Sequence, residues 1–426
     1  MKHLFFTRNI KLVCLLFTLV FGLLFTQNGA CVNNSEIKKK SILLEPRVLH
    51  VNLASCICGG GAQVLYSICK DLLKKEYFVR VLAVEKSPFY RELEVLQIPN
   101  YTTTLDPVKK SGQKKGHSDF SRQLEKLLIE TCKKDNINII HCHRPKEYRV
   151  VQKVAKKLGI ASVAFYHSYE IPDPVLFRGF SAFMAADFKV VAFMDEANKR
   201  LNLGIKSVEH ICPPYNDQRL INFVPEHSTR EQFFSDSFNI KIKKDPVLCM
   251  IANFVACKNH GVLFKAINKL VHQEKFPVQL VLAGSGTDRQ VTELKNLAAE
   301  LKIKDNVFFL GFTPLIPGIL HNSDAMVLPS LHESFGIVVL EACLMKTPVI
   351  LSRATGTAEF LIKHEDTGLL IDPKNVDDLA TQIKRILFDV ELQNKLKTNA
   401  FNLVSQNFTS AHALQKVQDC YNALLN

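Results

Sequence analysis

From Arg47 onward, short runs of β-branched and aliphatic residues alternate with longer amphipathic stretches. The runs VLHVNLA (48–54), VRVLAV (79–84), INIIHCH (137–143), SVAFYH (162–167) and KVVAFM (189–194) read as strands buried on both faces of a parallel sheet. Between them, 63–75 and 147–158 carry apolar residues at helical spacing. A second series follows: PVLCMIANF (246–254), VQLVLAG (278–284), VFFLGF (307–312), AMVLPS (325–330), PVILS (348–352) and GLLID (368–372). Strand alternating with helix predicts two doubly wound α/β domains. The polar stretch from about 216 to 245 reads as their connection. Ligands of such sheets sit beyond the carboxyl ends of the strands, so two facing domains imply a cleft between them.

Residues 12–26 (LVCLLFTLVFGLLFT) break this pattern: apolar, uncharged, and preceded by Lys2, Arg8 and Lys11. A spanning helix needs ~20 residues, so this run is short for one and fits a signal-peptide core. The following QNGAC (27–31) is a poor cleavage site, because Asn28 stands where a small residue is expected. An uncleaved anchor and a signal peptide both remain open.

Among 426 residues, 47% are hydrophobic, enough to bury substantial cores and to exclude wholesale disorder. The twelve cysteines form no C-x-x-C pair, which argues against a zinc knuckle or a compact disulfide framework and for reduced thiols. Lys plus Arg exceed Asp plus Glu by 54 to 41, and the excess of +13 lies in the first half. Residues 221–426 carry 21 of each sign, so the earlier part is the side suited to phosphate or anionic lipid. With no RNA-binding or zinc-finger spacing, nucleic acid is not the expected partner.

The segment LHESFGIVVLEACLMKTPVIL (331–351) holds Glu333 in the loop after a strand and Glu341 eight residues on, about two turns into a helix opened by Ser334-Phe335-Gly336. Amides at a helix start suit phosphate or sugar oxygens, and a carboxylate accepts from hydroxyls. Taken alone, two acidic residues near a helix end are an ordinary solvated surface. The wider text, SDAMVLPSLHESFGIVVLEACLMKTPVILSRATGTAEFLIKHEDTGLLIDP, closely resembles the donor-binding signature of glycosyltransferase family 4, retaining enzymes of GT-B fold. The resemblance continues through AGSGTDRQ (283–290) and DNVFFLGF (305–312), weakens in the first half, and covers about residues 47–426.

This resemblance implies an α/β GT-B fold of two Rossmann-like domains. Together with the apolar run, it divides the chain into an anchor or signal segment with linker (1–40), an acceptor-binding domain (41–220), a nucleotide-sugar-binding domain (221–400) and a helix returning to the first domain (401–426). It places Glu333 on donor-sugar hydroxyls, Glu341 on the ribose, and the backbone of Phe335, Gly336, Ile337 and Gly284 near the donor. Lys258, in NFVACKNHGVLF, takes the position of the lysine that grips the diphosphate. An ammonium there offsets developing negative charge without a metal, and no metal or cofactor is expected. The family's usual arginine ahead of that lysine is Asn253 here, which supplies a hydrogen bond and no charge.

In the first half, Cys58-Gly59-Gly60-Gly61-Ala62 follows a strand and precedes a helix. Glycines allow a tight turn and close backbone approach to phosphate, although three glycines can also be a turn and nothing more. His141, His143 and His167 fall at the carboxyl ends of neighbouring strands, where each is either a cleft residue or a buried, hydrogen-bonded one. The resemblance favours donor-sugar or acceptor contact, with His143 the catalytic candidate and His141 and His167 on the acceptor side. Arg149, Lys153, Lys156 and Lys157 gather on one helical face near Lys109, Lys110, Lys114 and Lys115, a face suited either to solvent or to anionic headgroups.

The expectation is therefore a retaining, hexosyltransferase-type enzyme passing a sugar from a nucleotide diphospho-sugar to a glycan or lipid-linked acceptor. It would be membrane-associated with its catalytic domains in the cytoplasm, or else secreted. A nucleotide-sugar epimerase and a non-catalytic sugar-nucleotide or lipid-binding protein are the rival readings.

Overall fold

The computed structural model describes residues 45–53, 60–105, 116–168, 170–213, 215, 217–333 and 335–426. The apolar run 12–26, Gly59, Ser334 and the lysines of the 109–115 stretch lie outside them. Among the described residues two parallel sheets form. The first contains β1 (Arg47–Val51), β2 (Phe78–Val84), β3 (Asn100–Thr103), β4 (Ile139–Cys142), β5 (Ala161–Tyr166), β6 (Ala182–Ala185) and β7 (Ser207–His210). Their spatial order is β3-β2-β1-β4-β5-β6-β7. The second contains β8 (Val247–Ile251), β9 (Gln279–Ala283), β10 (Val307–Gly311), β11 (Ala325–Leu328), β12 (Val349–Ser352) and β13 (Leu369–Ile371), ordered β10-β9-β8-β11-β12-β13. Both sheets reverse direction of progression beside their first strand, between β1 and β4 and between β8 and β11. Ligand crevices of open α/β sheets form at such switch points. This is the GT-B architecture.

The central strands of the second sheet are apolar throughout. VLCMI of β8 and AMVL of β11 are buried almost end to end, because helices cover both faces of the sheet. The edge strands NYTT (β3) and SVEH (β7) are only half-buried, and their polar residues hide them from an apolar-run reading.

One expected strand is a helix. KVVAFM (189–194) lies within the helix Phe188–Leu201, capped by the Asp187 carboxylate accepting from the amides of Lys189 and Val190. Val190, Met194 and Ala197 are buried at helical spacing, so the apolar run serves one helical stripe. The strand preceding it is AFMA (β6), too short and alanine-rich to announce itself.

The polar stretch 216–245 is also more structured than a bare connection. It holds the helices Asp217–Ile221 and Arg230–Phe238. The Arg230 guanidinium pairs with both oxygens of Asp324 at 2.7 and 2.8 Å, and Asp324 accepts the Val247 amide at 2.7 Å. Residues 401–426 span the end of the helix Val390–Asn407 and all of Ser410–Leu425. Ser410–Leu425 lies against the first domain's helix Gly60–Lys74. There Gln418 donates to Asp71 at 3.0 Å, and Tyr421 is fully buried. No helix among the described residues is long and apolar enough to cross a membrane.

Candidate active site

The second sheet builds a charged crevice from two loops far apart in sequence. After β8 the chain makes a 3-10 turn, Ala256–Lys258, and Asn259 follows in the left-handed region before the helix His260–Asn268. Asn259 donates to the carbonyls of Pro329 (3.1 Å) and Pro373 (2.7 Å), and the Leu331 amide donates to Cys257 at 2.8 Å. These bonds tie the β8 loop to the β11 loop. Held so, the Lys258 ammonium donates to the Glu333 carboxylate, with side chains only 18% and 15% exposed.

Gly336 caps the helix Ile337–Leu344 with φ of +72°, and a Cβ there would stand 3.2 Å from Glu333 Cγ. Glycine thus provides the turn and leaves room for the carboxylate. Phe335 is buried against Phe360, ring centroids 5.5 Å apart, which anchors the loop. Gly284 answers a second close approach: a Cβ would lie 1.9 Å from the Ala252 carbonyl oxygen. Beside it, Asn253 accepts from the Ser285 hydroxyl at 3.1 Å and brings no charge.

Glu341 sits deeper in the helix, its carboxylate 3.7 Å from the Arg219 guanidinium. Burial raises its pKa and Arg219 pulls it back towards ionisation. Arg219 also donates to the Pro314 carbonyl at 3.2 Å. Its helix falls within the stretch read as connection, so sequence reasoning missed it.

A cleft of about 240 Å³ separates this crevice from the first domain, with Lys258, Glu333, Phe335, Gly336 and Ile337 on one side and Gly61, His167 and Pro213 on the other. Gly60 opens the helix Gly60–Lys74 on that side.

Behind His167 the first sheet carries a stack of imidazoles. His50 of β1 is the register partner of His141 of β4. His143 lies two residues on from His141 and stacks on it with centroids 4.3 Å apart. His50 Nδ1 meets His143 Nε2 at 2.9 Å, and His143 Nδ1 meets His167 Nε2 at 3.2 Å. His141 Nδ1 is hydrogen-bonded to the Tyr421 hydroxyl. Desolvation lowers the pKa of all four, His50 to about 3 and His167 to about 4, which keeps the rings neutral.

Both nitrogens of His143 are engaged and the residue is 4% exposed, so the cleft wall is His167 rather than His143. His50 was not singled out from sequence. Its only signal was a polar residue in the middle of an otherwise apolar strand. On the helix after β4, Glu147 is fully buried, its carboxylate oxygens lack hydrogen-bond partners, and desolvation raises its pKa to about 7.

The basic helical face is present: Arg149, Lys153, Lys156 and Lys157 are exposed on the helix Pro145–Leu158. Lys153 and Lys157 share Glu125 at 2.6 and 3.8 Å, which offsets part of that charge.

Residues 232–403, which hold the Lys258–Glu333 crevice, match the family Glycosyl transferases group 1. Residues 232–403 are a group 1 glycosyltransferase domain. The chain is similar to N-acetyl-alpha-D-glucosaminyl L-malate synthase of Bacillus anthracis, 27% identical over 71% of this chain and 79% of that protein. It is also similar to UDP-Gal:alpha-D-GlcNAc-diphosphoundecaprenol alpha-1,3-galactosyltransferase of Escherichia coli, 25% identical over 69% and 77% of the two chains. Among solved structures, a glycosyltransferase from Rickettsia africae ESF-5 superposes with a TM-score of 0.76 at 21% identity, covering 90% of this chain and 99% of that one. The family-4 resemblance read from the signature is thus met by both domain and fold, and the protein is a glycosyltransferase.

Proposed function

We propose that this glycosyltransferase moves a sugar from a nucleotide diphospho-sugar to a hydroxyl of a glycan or lipid-linked acceptor, with retention at the anomeric carbon. The observation that carries the reading is the Lys258–Glu333 pair facing Gly61 and His167 across one cleft. In the donor complex Lys258 turns to the diphosphate and offsets the charge that develops as the glycosidic C–O bond breaks. Amides at the start of Ile337–Leu344 assist it. Glu333, released from the ammonium, accepts from sugar hydroxyls. Glu341, with the Arg219 guanidinium 3.7 Å away, accepts from the ribose. The acceptor enters past His167, attacks on the face the diphosphate leaves, and passes its proton to the departing phosphate. Support for a uridine nucleotide donor and a lipid-linked acceptor comes from the Escherichia coli relative, whose name states both.

Incubating the chain with a panel of nucleotide sugars tests this. Nucleotide release with acceptor glycosylation, lost in Lys258→Ala and Glu341→Ala, is the expected result. Isomer formation without release would instead mean epimerisation. Tight donor binding with neither product would mean that Asn253 marks a chain that has given up catalysis.

A further inference from the structure

Beneath the cleft, one ligand nitrogen from each of His50, His141 and His143 lies within 4.8 Å of the other two, and all three residues are buried. Nε2 of His50 and Nε2 of His141 have no hydrogen-bond partner. Leaving two imidazole nitrogens unsatisfied on register-paired residues costs free energy that the sheet has no internal means of recovering. The ring centroids stand 4.9 Å (His50–His141), 5.2 Å (His50–His143) and 4.3 Å (His141–His143) apart.

We infer that His50, His141 and His143 form a binding site for a divalent transition ion of the zinc class. Three neutral imidazoles with no carboxylate select a borderline metal over magnesium or calcium. His50 and His141 ligate through Nε2, filling both orphaned positions. His143 ligates through Nε2, giving up its hydrogen bond to His50. Two of the three outer nitrogens are already held, Tyr421 taking His141 Nδ1 and His167 taking His143 Nδ1, and only His50 Nδ1 is released. Such outer partners fix ring orientation at histidine metal sites. A water completes the fourth position. The ion lies below the cleft surface, apart from the Lys258 crevice. It pins β1 to β4 and, through His143, holds the ring of His167 that faces the acceptor. The inference rests on this cluster and not on the transfer reaction, so a chain that binds zinc without transferring sugar would leave it standing.

The full chain, purified without a metal-binding tag, is stripped with chelator and titrated with Zn²⁺, then with Co²⁺. One zinc per chain by elemental analysis, with the visible ligand-field bands of four-coordinate cobalt, is expected. His50→Gln and His141→Gln should each abolish stoichiometric binding while circular dichroism reports an intact fold. Tyr421→Phe, which removes only an outer partner, should weaken binding on the order of tenfold. If the glutamine variants unfold, the wild-type stoichiometry and cobalt spectrum still decide. Absence of a cobalt spectrum and of bound zinc in the folded wild-type chain would overturn the site, as would undiminished binding in folded His50→Gln and His141→Gln.

Discussion

The two switch points have the same topology and opposite chemistry. Between β8 and β11 the crevice is built from charge, with Lys258 on Glu333 and Arg219 beside Glu341. Between β1 and β4, beneath the cleft, stand imidazole rings instead, His50, His141 and His143, and elsewhere in that domain the buried Glu147 holds a raised pKa. On the proposed reading an activated sugar diphosphate needs counter-charge that can reorganise, and the half-buried ion pairs supply it. An acceptor hydroxyl, on the same reading, needs orientation, which the ring of His167, held from behind by His143, provides. One architecture thus hosts two recognition chemistries because strand ends fix position and side chains fix character.

The sharpest way to break this division is to remove its charge. Lys258→Ala should lower nucleotide release on the order of 10²–10³-fold, with any acceptor or none, because it removes a donor to the leaving group. Steady-state release assays would read it. If release barely changes, the charged half is not the donor half.

Next comes the neutral half's avoidance of charge. Glu147 faces Arg144 and Lys146, which favour ionisation, but desolvation dominates and the folded carboxyl titrates near 7 against 4.5 in its ordinary state. Below 4.5 both states are protonated and nothing is lost. From 4.5 to about 7 the unfolded chain ionises while the folded one keeps its proton, so stability falls as pH rises. The gap corresponds to about 3 kcal/mol, fully lost above 7. Glu147→Gln should therefore raise the melting temperature at pH 8 and leave it nearly unchanged at pH 4.5. An equal gain at both would mean that burial does not control this carboxyl.

Gly336→Ala is a smaller intervention on the charged side. Its left-handed φ and the contact with Glu333 should cost about 2 kcal/mol of stability in denaturant unfolding. It should also displace the carboxylate from Lys258. Smallest is His167→Ala, expected to raise acceptor KM on the order of tenfold while donor hydrolysis without acceptor stays unchanged. An equal loss in both would mean that His167 serves the donor instead.

The second domain was the more legible half. Its strands are continuous apolar runs, and its chemistry sits in one contiguous segment around Glu333 and Glu341, with Lys258 placed by a single offset from a strand. The first domain hid its short or polar strands β3, β6 and β7, and it turned KVVAFM into a helix. Its site is assembled across strands: His50 and His141 are register partners separated by some ninety residues of chain. The same reason kept Arg219 from view, since nothing local to a polar connection announces a partner on a distant helix.

What the chain's order of residues settled by itself was the two alternating halves, the glycine-opened helix after β11 and the residue types in the loops after β8 and β11, because apolar periodicity and backbone-permissive glycines are local properties. Tertiary structure alone decided that Lys258 pairs with Glu333, that His143 lies below the wall that His167 forms, and that Tyr421 at the far end of the chain closes on His141. Those contacts depend on strand order and on the return of the last helix, and parallel pairing joins residues whose spacing in sequence carries no trace of their distance in space.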